Sequence, residues 1–319
     1  TICYHFQYRI TSQDLNTMAT FKNIIFAANS TETSSMEAFN IILDELNYQD
    51  LNIGFYDFKL DGDSLSTAIS DKVQQIKKED LPNNDLIISI GGDGTMLKSA
   101  KLAHQFNIPI TGINRGRLGF LTDINPDQAA ETLSKIINGL YKEEKRLLIE
   151  ATINGKDQDG LSGYALNDIA IKRIETGRMI RIKTSIDNNY INTHEGDGFV
   201  VATPTGSTAY ALSCGGPILK PDIEAFVLVP ICPHSLNDRP LVISAHSEIS
   251  VTVNLSDGEM AAIDLDGDDF AELSSEDILL IRASSTFIKL IHPENYDYFD
   301  VLRTKLYWGQ NKRTSSDQP

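Results

Sequence analysis

The chain is predicted to fold in two parts: an α/β unit built on an open parallel sheet with flanking helices, then a mostly β unit. Two observations carry this. As far as about residue 140, short apolar runs alternate with stretches of helical periodicity, the pattern of a parallel sheet with crossover helices. From Tyr141 onward, short β-rich runs dominate, separated by turn residues such as Asn154-Gly155, Asp187-Asn188-Asn189 and Asp257-Gly258. The 319 residues, 41% of them hydrophobic, are long for one core and comfortable for two. The expected division is an extension over 1–20, the α/β unit over 21–140, the β-rich unit over 141–290, and a closing segment over 291–319 that packs back and ends in a polar tail.

Lys22 to Asn29 has the length and apolar content of a buried strand. Ser34 and Glu37 have the spacing of a capping box, and Phe39, Ile42, Leu43 and Leu46 continue at helical spacing. Leu65, Ile69, Val73 and Ile76 predict a second helix. Leu86 to Ile90 predicts a buried strand, followed by a helix from Gly94 to Phe106 and a strand from Ile108 to Ile113. Pro126 to Asn138 predicts a helix with proline near its start and Gly139 just past its end. The strands expected beyond are Leu147–Ile153, Tyr164–Ile171, Ile180–Ile186, Phe199–Thr203, Ile249–Val253 and Ile278–Ala283. Tyr296 to Trp308 has helical spacing and should pack on the body, whereas Thr314 to Pro319 reads as disordered. Met18 lies just ahead of the first strand, so the residues before it read as an upstream extension.

The net charge of −16 argues against a nucleic-acid partner, which needs a basic face to release counterions. No run approaches the roughly 18 apolar residues of a membrane helix, and the first 20 residues lack the apolar core of a signal peptide. Cys3, Cys214 and Cys232 form no CxxC pair. A reduced, cytoplasmic setting is expected.

Gly91-Gly92-Asp93-Gly94-Thr95 sits where a buried strand ends and a helix begins. Ligands of open parallel sheets bind there, glycines let backbone N–H groups approach phosphate oxygens, and the helix N-terminus adds partial positive charge. A carboxylate in such a loop repels phosphate unless it has a task. It can accept the proton of an attacking hydroxyl, or hold a magnesium-bound water, or merely cap the helix. The segment is neither GxxxxGK(S/T), since Gly94 to Ser99 lacks a second glycine, nor GxGxxG, since Leu97 stands last. After the next strand, Asn114 to Leu121 offers Arg115 and Arg117 for phosphates and Phe120 for a base. Further on, Gly196 to Tyr210 leads a strand into a turn crowded with hydroxyls, suited to base edges and ribose, with Tyr210 able to stack on a ring. Asp264-x-Asp266-x-Asp268 has Asp269 and Ser275 where a calcium loop needs Gly and Glu, so it reads as an acidic turn. His234 reads as structural and Cys214 as a packing residue.

Taken together, GGDGT at 91–95, NRGRLGFLTD at 114–123, LND at 166–168, GDGFVVATPTGSTAYALSCGGPIL at 196–219, PHSLNDRPLVI at 233–243 and the closing HPENYDYFDVLRTKLYWG at 292–309 resemble the NAD kinase family. The resemblance spans about Lys22 to Gly309. It implies transfer of the γ-phosphoryl of ATP, carried with Mg2+ or another divalent metal, to the 2′-hydroxyl of the adenosine ribose of NAD. Asp93 would then contact that hydroxyl as the catalytic group. Gly91, Gly92, Thr95, Arg115 and Arg117 would face the ATP phosphates. Gly94, Phe120, Asn167, Asp168, Asp197, Thr208, Ala209, Tyr210 and Ser213 would surround NAD. A homodimer or homotetramer is implied as well. Two positions depart from the family pattern. Asp168 stands where Glu is usual, one methylene shorter, and Glu195 stands where Arg is frequent, which leaves Arg115, Arg117 or Arg173 to replace a lost phosphate contact. A GGDG-type lipid kinase and a non-catalytic NAD(P)-binding sensor are the competing readings. An acidic chain carrying TPTGSTAY suits the lipid kinase poorly, and intact Asp93 argues against the sensor.

Overall fold

The computed structural model describes residues 20–46, 51–59, 73–116, 118–155, 158–174, 178–256 and 259–308. Its first half alternates as expected. Strand β1 (Asn23–Ala28) leads to α1 (Thr33–Glu45), β2 (Asn52–Asp57), the two-residue β3 (Gln74–Gln75), β4 (Leu86–Ile90), α2 (Asp93–Phe106), β5 (Ile110–Ile113) and, after a 3-10 turn at Pro126–Gln128, α3 (Ala129–Ile137). These strands pair in parallel in the order β5-β4-β1-β2-β3. The strand order reverses between β1 and β4, and at such a switch point a crevice opens beyond the carboxyl ends. Apolar residues cover both faces of this sheet. Phe26, Phe39, Phe55 and Leu133 fill one side under α1 and α3, while Met96, Ala100 and Ala103 of α2 fill the other with Ile87, Ile110 and Leu121.

Three expectations change. Helix α1 begins at Thr33 with Glu32 as its N-cap residue and no side-chain cap bond, so Ser34 lies inside the helix and the capping box does not form. The helix expected through Val73 and Ile76 does not reach them. Gln74 and Gln75 pair with β2 instead, and Leu65 and Ile69 lie outside the described residues. Strand β2 was not expected from the sequence: its six residues, NIGFYD, include Asn, Gly and Asp, which are disfavoured in strands.

The second half holds β6 (Lys142–Asn154), β7 (Leu161–Ala165), β8 (Asp168–Arg173), β9 (Ile180–Ile186), β10 (Asn189–Gly196), β11 (Gly198–Ala202), the short α4 (Tyr210–Ser213), β12 (Ala225–Ile231), β13 (Leu241–Ser244), β14 (Ile249–Asn254), β15 (Ala261–Leu265), β16 (Asp268–Leu273), β17 (Ile278–His292) and α5 (Tyr298–Leu306). An antiparallel sheet in the order β13-β12-β11-β8-β15-β16 packs on β9, β14, β17 and β6 around Ile149, Ile171, Phe199, Phe226 and Ile281. Strand β17 joins the two halves. It pairs β14 at Ile249↔Ile281, β6 from end to end, and β5 in parallel at Leu290↔Ile110. The 15 residues of β17 thus extend beyond the expected Ala283 and put the parallel and antiparallel parts into one continuous sheet. The run Tyr164–Ile171 is two strands in two sheets, broken at Leu166-Asn167. Among the described residues no helix is long and apolar enough to cross a membrane.

Candidate functional site

Asp93 opens α2 directly beyond the carboxyl end of β4. It is not the N-cap, which is Gly92, so the helix-capping reading does not hold. Its carboxylate turns instead to the loop after β5: Oδ2 accepts the Phe120 N–H at 3.0 Å and Oδ1 accepts the Leu121 N–H at 3.0 Å. Gly119 makes this approach possible, because a Cβ there would lie 2.2 Å from Asp93 Oδ1 and 2.3 Å from Thr122 Oγ1. Gly91 packs as tightly, with Thr95 Oγ1 2.3 Å from where its Cβ would stand, whereas Gly94 is open to solvent. Arg115 pairs with Glu32 at 2.5 Å, tying the loop after β5 to the start of α1 across the switch point and placing its guanidinium beside Gly92. Arg117 lies outside the described residues. Phe120 is half-buried, with Lys305 of α5 5.9 Å from its ring centroid.

A second group of residues gathers where the sandwich meets this edge. The break at Leu166-Asn167 is held from two sides. Thr203 donates its N–H to Asn167 O at 2.9 Å and its Oγ1–H to Leu166 O at 2.5 Å. A Cβ on Gly206 would stand 2.1 Å from Asn167 O, so only glycine lets the hydroxyl-rich turn lie on the LND turn. From the other side Asp266, at the β15–β16 turn, accepts the N–H groups of Leu166, Asn167 and Asp168 at 2.9, 2.6 and 3.3 Å. Asp266 adopts φ 55° and Gly267 φ 83°, the left-handed conformations of a tight hairpin turn. Leu166 shares its apolar cluster with Met96 and Leu121, which seats the LND turn on the core beneath Asp93. Lys101 of α2 reaches Asp268 at 2.5 Å, a second link between the halves.

Asn167, Asp168, Lys172, Ala209, Tyr210, Asp264 and Asp266 line a cavity of about 350 Å³. Burial, then the negative charges of Asp266 and Asp264, push the Asp168 carboxyl up to about 7. Lys172 pairs with Asp264 beside them. Tyr210 stays 39% exposed, leaving its ring free for a ligand. Thr208 spends its hydroxyl on Thr205 O at 3.2 Å, and Ser213 is exposed at the end of α4. Cys214 packs partly buried on the outer face of the six-stranded sheet, as expected, and both Cys214 and Cys232 are free thiols.

The two departures take defined places. Glu195 pairs across the β9–β10 ladder with Arg181 at 3.4 Å. Of the arginines that would replace a cation there, Arg173 is the one at the GDG turn: its Nε lies 3.1 Å from Asp197 Oδ1. Arg115 lies in the loop after β5, on Glu32. Asp264, Asp266 and Lys172 were missed as site residues. The acidic spacing drew attention to the turn, but nothing local to it tells that it folds over the LND amides. Among the described residues no group of three or more His, Cys, Asp or Glu is arranged to hold a metal.

A carboxylate in a glycine loop at the switch point of a parallel sheet, joined to a β-sandwich that carries a polar cavity, is the arrangement of a GGDG-type phosphotransferase. The ATP–NAD kinase N-terminal domain family matches residues 25–141 and the ATP–NAD kinase C-terminal domain family matches 166–293. An NAD kinase of Laribacter hongkongensis is 38% identical over 291 residues, covering 91% of this chain and 98% of that protein. One from Marinomonas is 43% identical over 229 residues, 72% of this chain and 78% of its own. The chain belongs to the NAD kinase family. Among solved structures, yeast NADH kinase with NADH superposes with a TM-score of 0.81 at 24% identity, covering 94% of this chain and 90% of that one, which shows the shared fold. An NAD kinase from Archaeoglobus fulgidus with ATP gives 0.64 at 25% identity, over 88% and 99%. The lipid-kinase reading is thereby set aside.

Proposed function

We propose that this NAD kinase transfers the γ-phosphoryl of ATP to the 2′-hydroxyl of the adenosine ribose of NAD, giving NADP and ADP, with Asp93 as the group that takes the hydroxyl proton. The observation that carries the role of Asp93 is its setting. It sits at the phosphate-binding end of a parallel sheet, yet its carboxylate is aimed by two backbone N–H groups of the neighbouring loop. A ribose hydroxyl is a poor nucleophile, and phosphoryl transfer needs positioning, charge neutralisation and a nearby proton acceptor. As the hydroxyl oxygen bonds to the γ-phosphorus, its proton passes to Asp93 and ADP leaves.

Gly92 would present its N–H to the ATP phosphates, while Gly91 and Thr95, whose N–H groups go to Ile113 O and Gly92 O at 3.0 Å each, would shape the loop around them, and Arg115, held beside Gly92, would add positive charge. A Mg2+ ion arriving on ATP would neutralise its phosphates. On the NAD side, Asn167, Asp168, Ala209 and Tyr210 line the cavity that would hold the adenosine, and Phe120, Gly94 and Thr208 would complete its surroundings. Asp197 with Arg173 and Ser213 would lie toward the nicotinamide half. Asp168, shortened relative to the family's Glu, reaches less far but keeps an acceptor for a ribose hydroxyl. The exposed edge-strand residues Tyr190, Ile191, Leu241 and Val242 support a homodimer or homotetramer, to be read by sedimentation.

The test is incubation of the purified protein with NAD, ATP and Mg2+, with NADP read by an NADP-specific dehydrogenase. NADP formed only when ATP and Mg2+ are both present supports the reading. NAD binding by calorimetry without NADP formation would identify a sensor instead.

A further inference from the structure

A buried ionic network lies behind the site and is used by none of the roles above. His292, at the end of β17 and 2% exposed, holds Asp123 Oδ2 through Nδ1 at 2.7 Å. Its Nε2 lies 3.2 Å from Glu144 Oε2 of β6, an ion-pair contact without hydrogen-bond alignment. Arg146, also 2% exposed, joins the same Glu144 oxygen at 2.9 Å, then reaches Thr205 Oγ1 at 3.4 Å and the Tyr296 hydroxyl at 3.5 Å. The Tyr296 ring stacks on the His292 imidazole with centroids 3.9 Å apart and planes 9° from parallel. Two ends of this network are informative. Asp123 lies two residues past Leu121, whose amide holds Asp93 together with that of Phe120. Thr205 belongs to the hydroxyl-rich turn that packs on Asn167.

We propose that His292 is a positioning residue of the phosphoryl transfer: as an imidazolium between Asp123 and Glu144 it fixes the loop that aims Asp93 and, through Glu144 and Arg146, the turn that shapes the NAD cavity. Buried charges are retained at a cost in desolvation, which a purely structural core would avoid with apolar residues. Here the charges connect five segments: the loop after β5, β6, β17, the turn that holds Thr205 and the segment before α5. The groups facing the imidazole are Asp123 from the loop after β5, Glu144 and Arg146 from β6 with Lys142 opposite in register, and Tyr296 from the segment before α5. Burial disfavours the charged ring, but Asp123 and Glu144 outweigh it and raise the imidazole pKa above its ordinary value. Burial also opposes ionised Glu144, yet His292 and Arg146 hold that carboxyl at about 2. The imidazolium is therefore present below its raised pKa and lost as pH climbs through it. Losing it leaves a ring lone pair facing one of two carboxylates, and the loop that aims Asp93 loosens.

This proposal rests on the reading of Asp93 given above. The test is the kcat–pH profile of the wild-type enzyme, of His292→Gln and of Asp123→Asn, with melting temperatures measured alongside. We expect an alkaline fall in wild-type kcat. His292→Gln should remove that fall and lower kcat about ten- to hundredfold, with KM for ATP changed less than about threefold. Asp123→Asn should move the fall to lower pH, because the carboxylate that favours the imidazolium is gone. A wild-type profile without an alkaline fall overturns the proposal, as does an unchanged fall in Asp123→Asn, or a kcat in folded His292→Gln equal to wild type. If His292→Gln does not fold, the shift in Asp123→Asn decides. An inactive Asp93→Asn beside a fully active His292→Gln sinks this proposal and leaves the role of Asp93 standing. A wild-type protein that forms no NADP overturns both.

Discussion

At Asp93 one carboxylate serves two neighbours, the loop that orients it and the hydroxyl it is proposed to deprotonate. Asp93→Asn turns one acceptor into a donor that faces a backbone N–H, so both tasks suffer. Turnover should fall about 10²–10⁴-fold, while calorimetric NAD affinity stays within a few-fold. Turnover equal to the parent would refute the proton-acceptor role. Gly119→Ala is the steric counterpart. Its methyl would stand 2.2 Å from Asp93 Oδ1 and 2.3 Å from the buried Thr122 Oγ1, so turnover should drop and the melting temperature should fall with it, and a variant unchanged in both would show that this close approach is not required. Asp168 carries a pH signature of its own. Its native pKa, about 7, is raised from an ordinary 3.8. The native state thus binds more protons than the unfolded chain between those values, and this carboxyl makes stability fall as pH rises from about 4 to 7. Asp168→Asn removes that dependence. The variant's gain in melting temperature over the parent should therefore be larger at pH 8 than at pH 4, and an equal difference at both would show that Asp168 is not the buried acid described.

Among the elements, α1 and the LND turn show how packing supports the site. Phe39 of α1 sits fully buried between Phe26 and Phe55, with ring centroids 5.3 and 4.9 Å away. Phe39→Ala should cost about 3–5 kcal/mol in a urea titration, and a loss under 1 kcal/mol would mean that α1 is not anchored there. The break between β7 and β8 was read as one strand, Tyr164–Ile171, since a break of two residues in an apolar run leaves no periodic mark. Its cause is long-range: the Asp266 carboxylate and the Thr203 hydroxyl take hydrogen bonds that a continuous strand would have given its neighbours. The same holds for β3. Its glutamines have no strand pattern and pair only because β2 offers a free edge.

Across the whole molecule, β17 and β6 make the parallel and antiparallel parts one sheet, and Ile291 of β17 is buried in the α/β core. A single cooperative melt is expected, and a fragment ending at 141 should lack native near-ultraviolet dichroism because β5 loses its β17 neighbour. A fragment that melts cooperatively would show the α/β part to be self-sufficient. The helices α2 and α3, the buried strands at the sheet centre and the GGDGT loop were legible in the chain, because their signals are local: apolar periodicity, a proline at a helix start, glycines at a strand end. So were the motif segments that mark the family. Which carboxylates share a cavity, which arginine meets Asp197, and why Asp123, Glu144, Arg146 and His292 are buried together were not. Those facts depend on pairings between strands that are not neighbours in the sequence, and the electrostatic environment that sets their chemistry exists only once the sheet has closed.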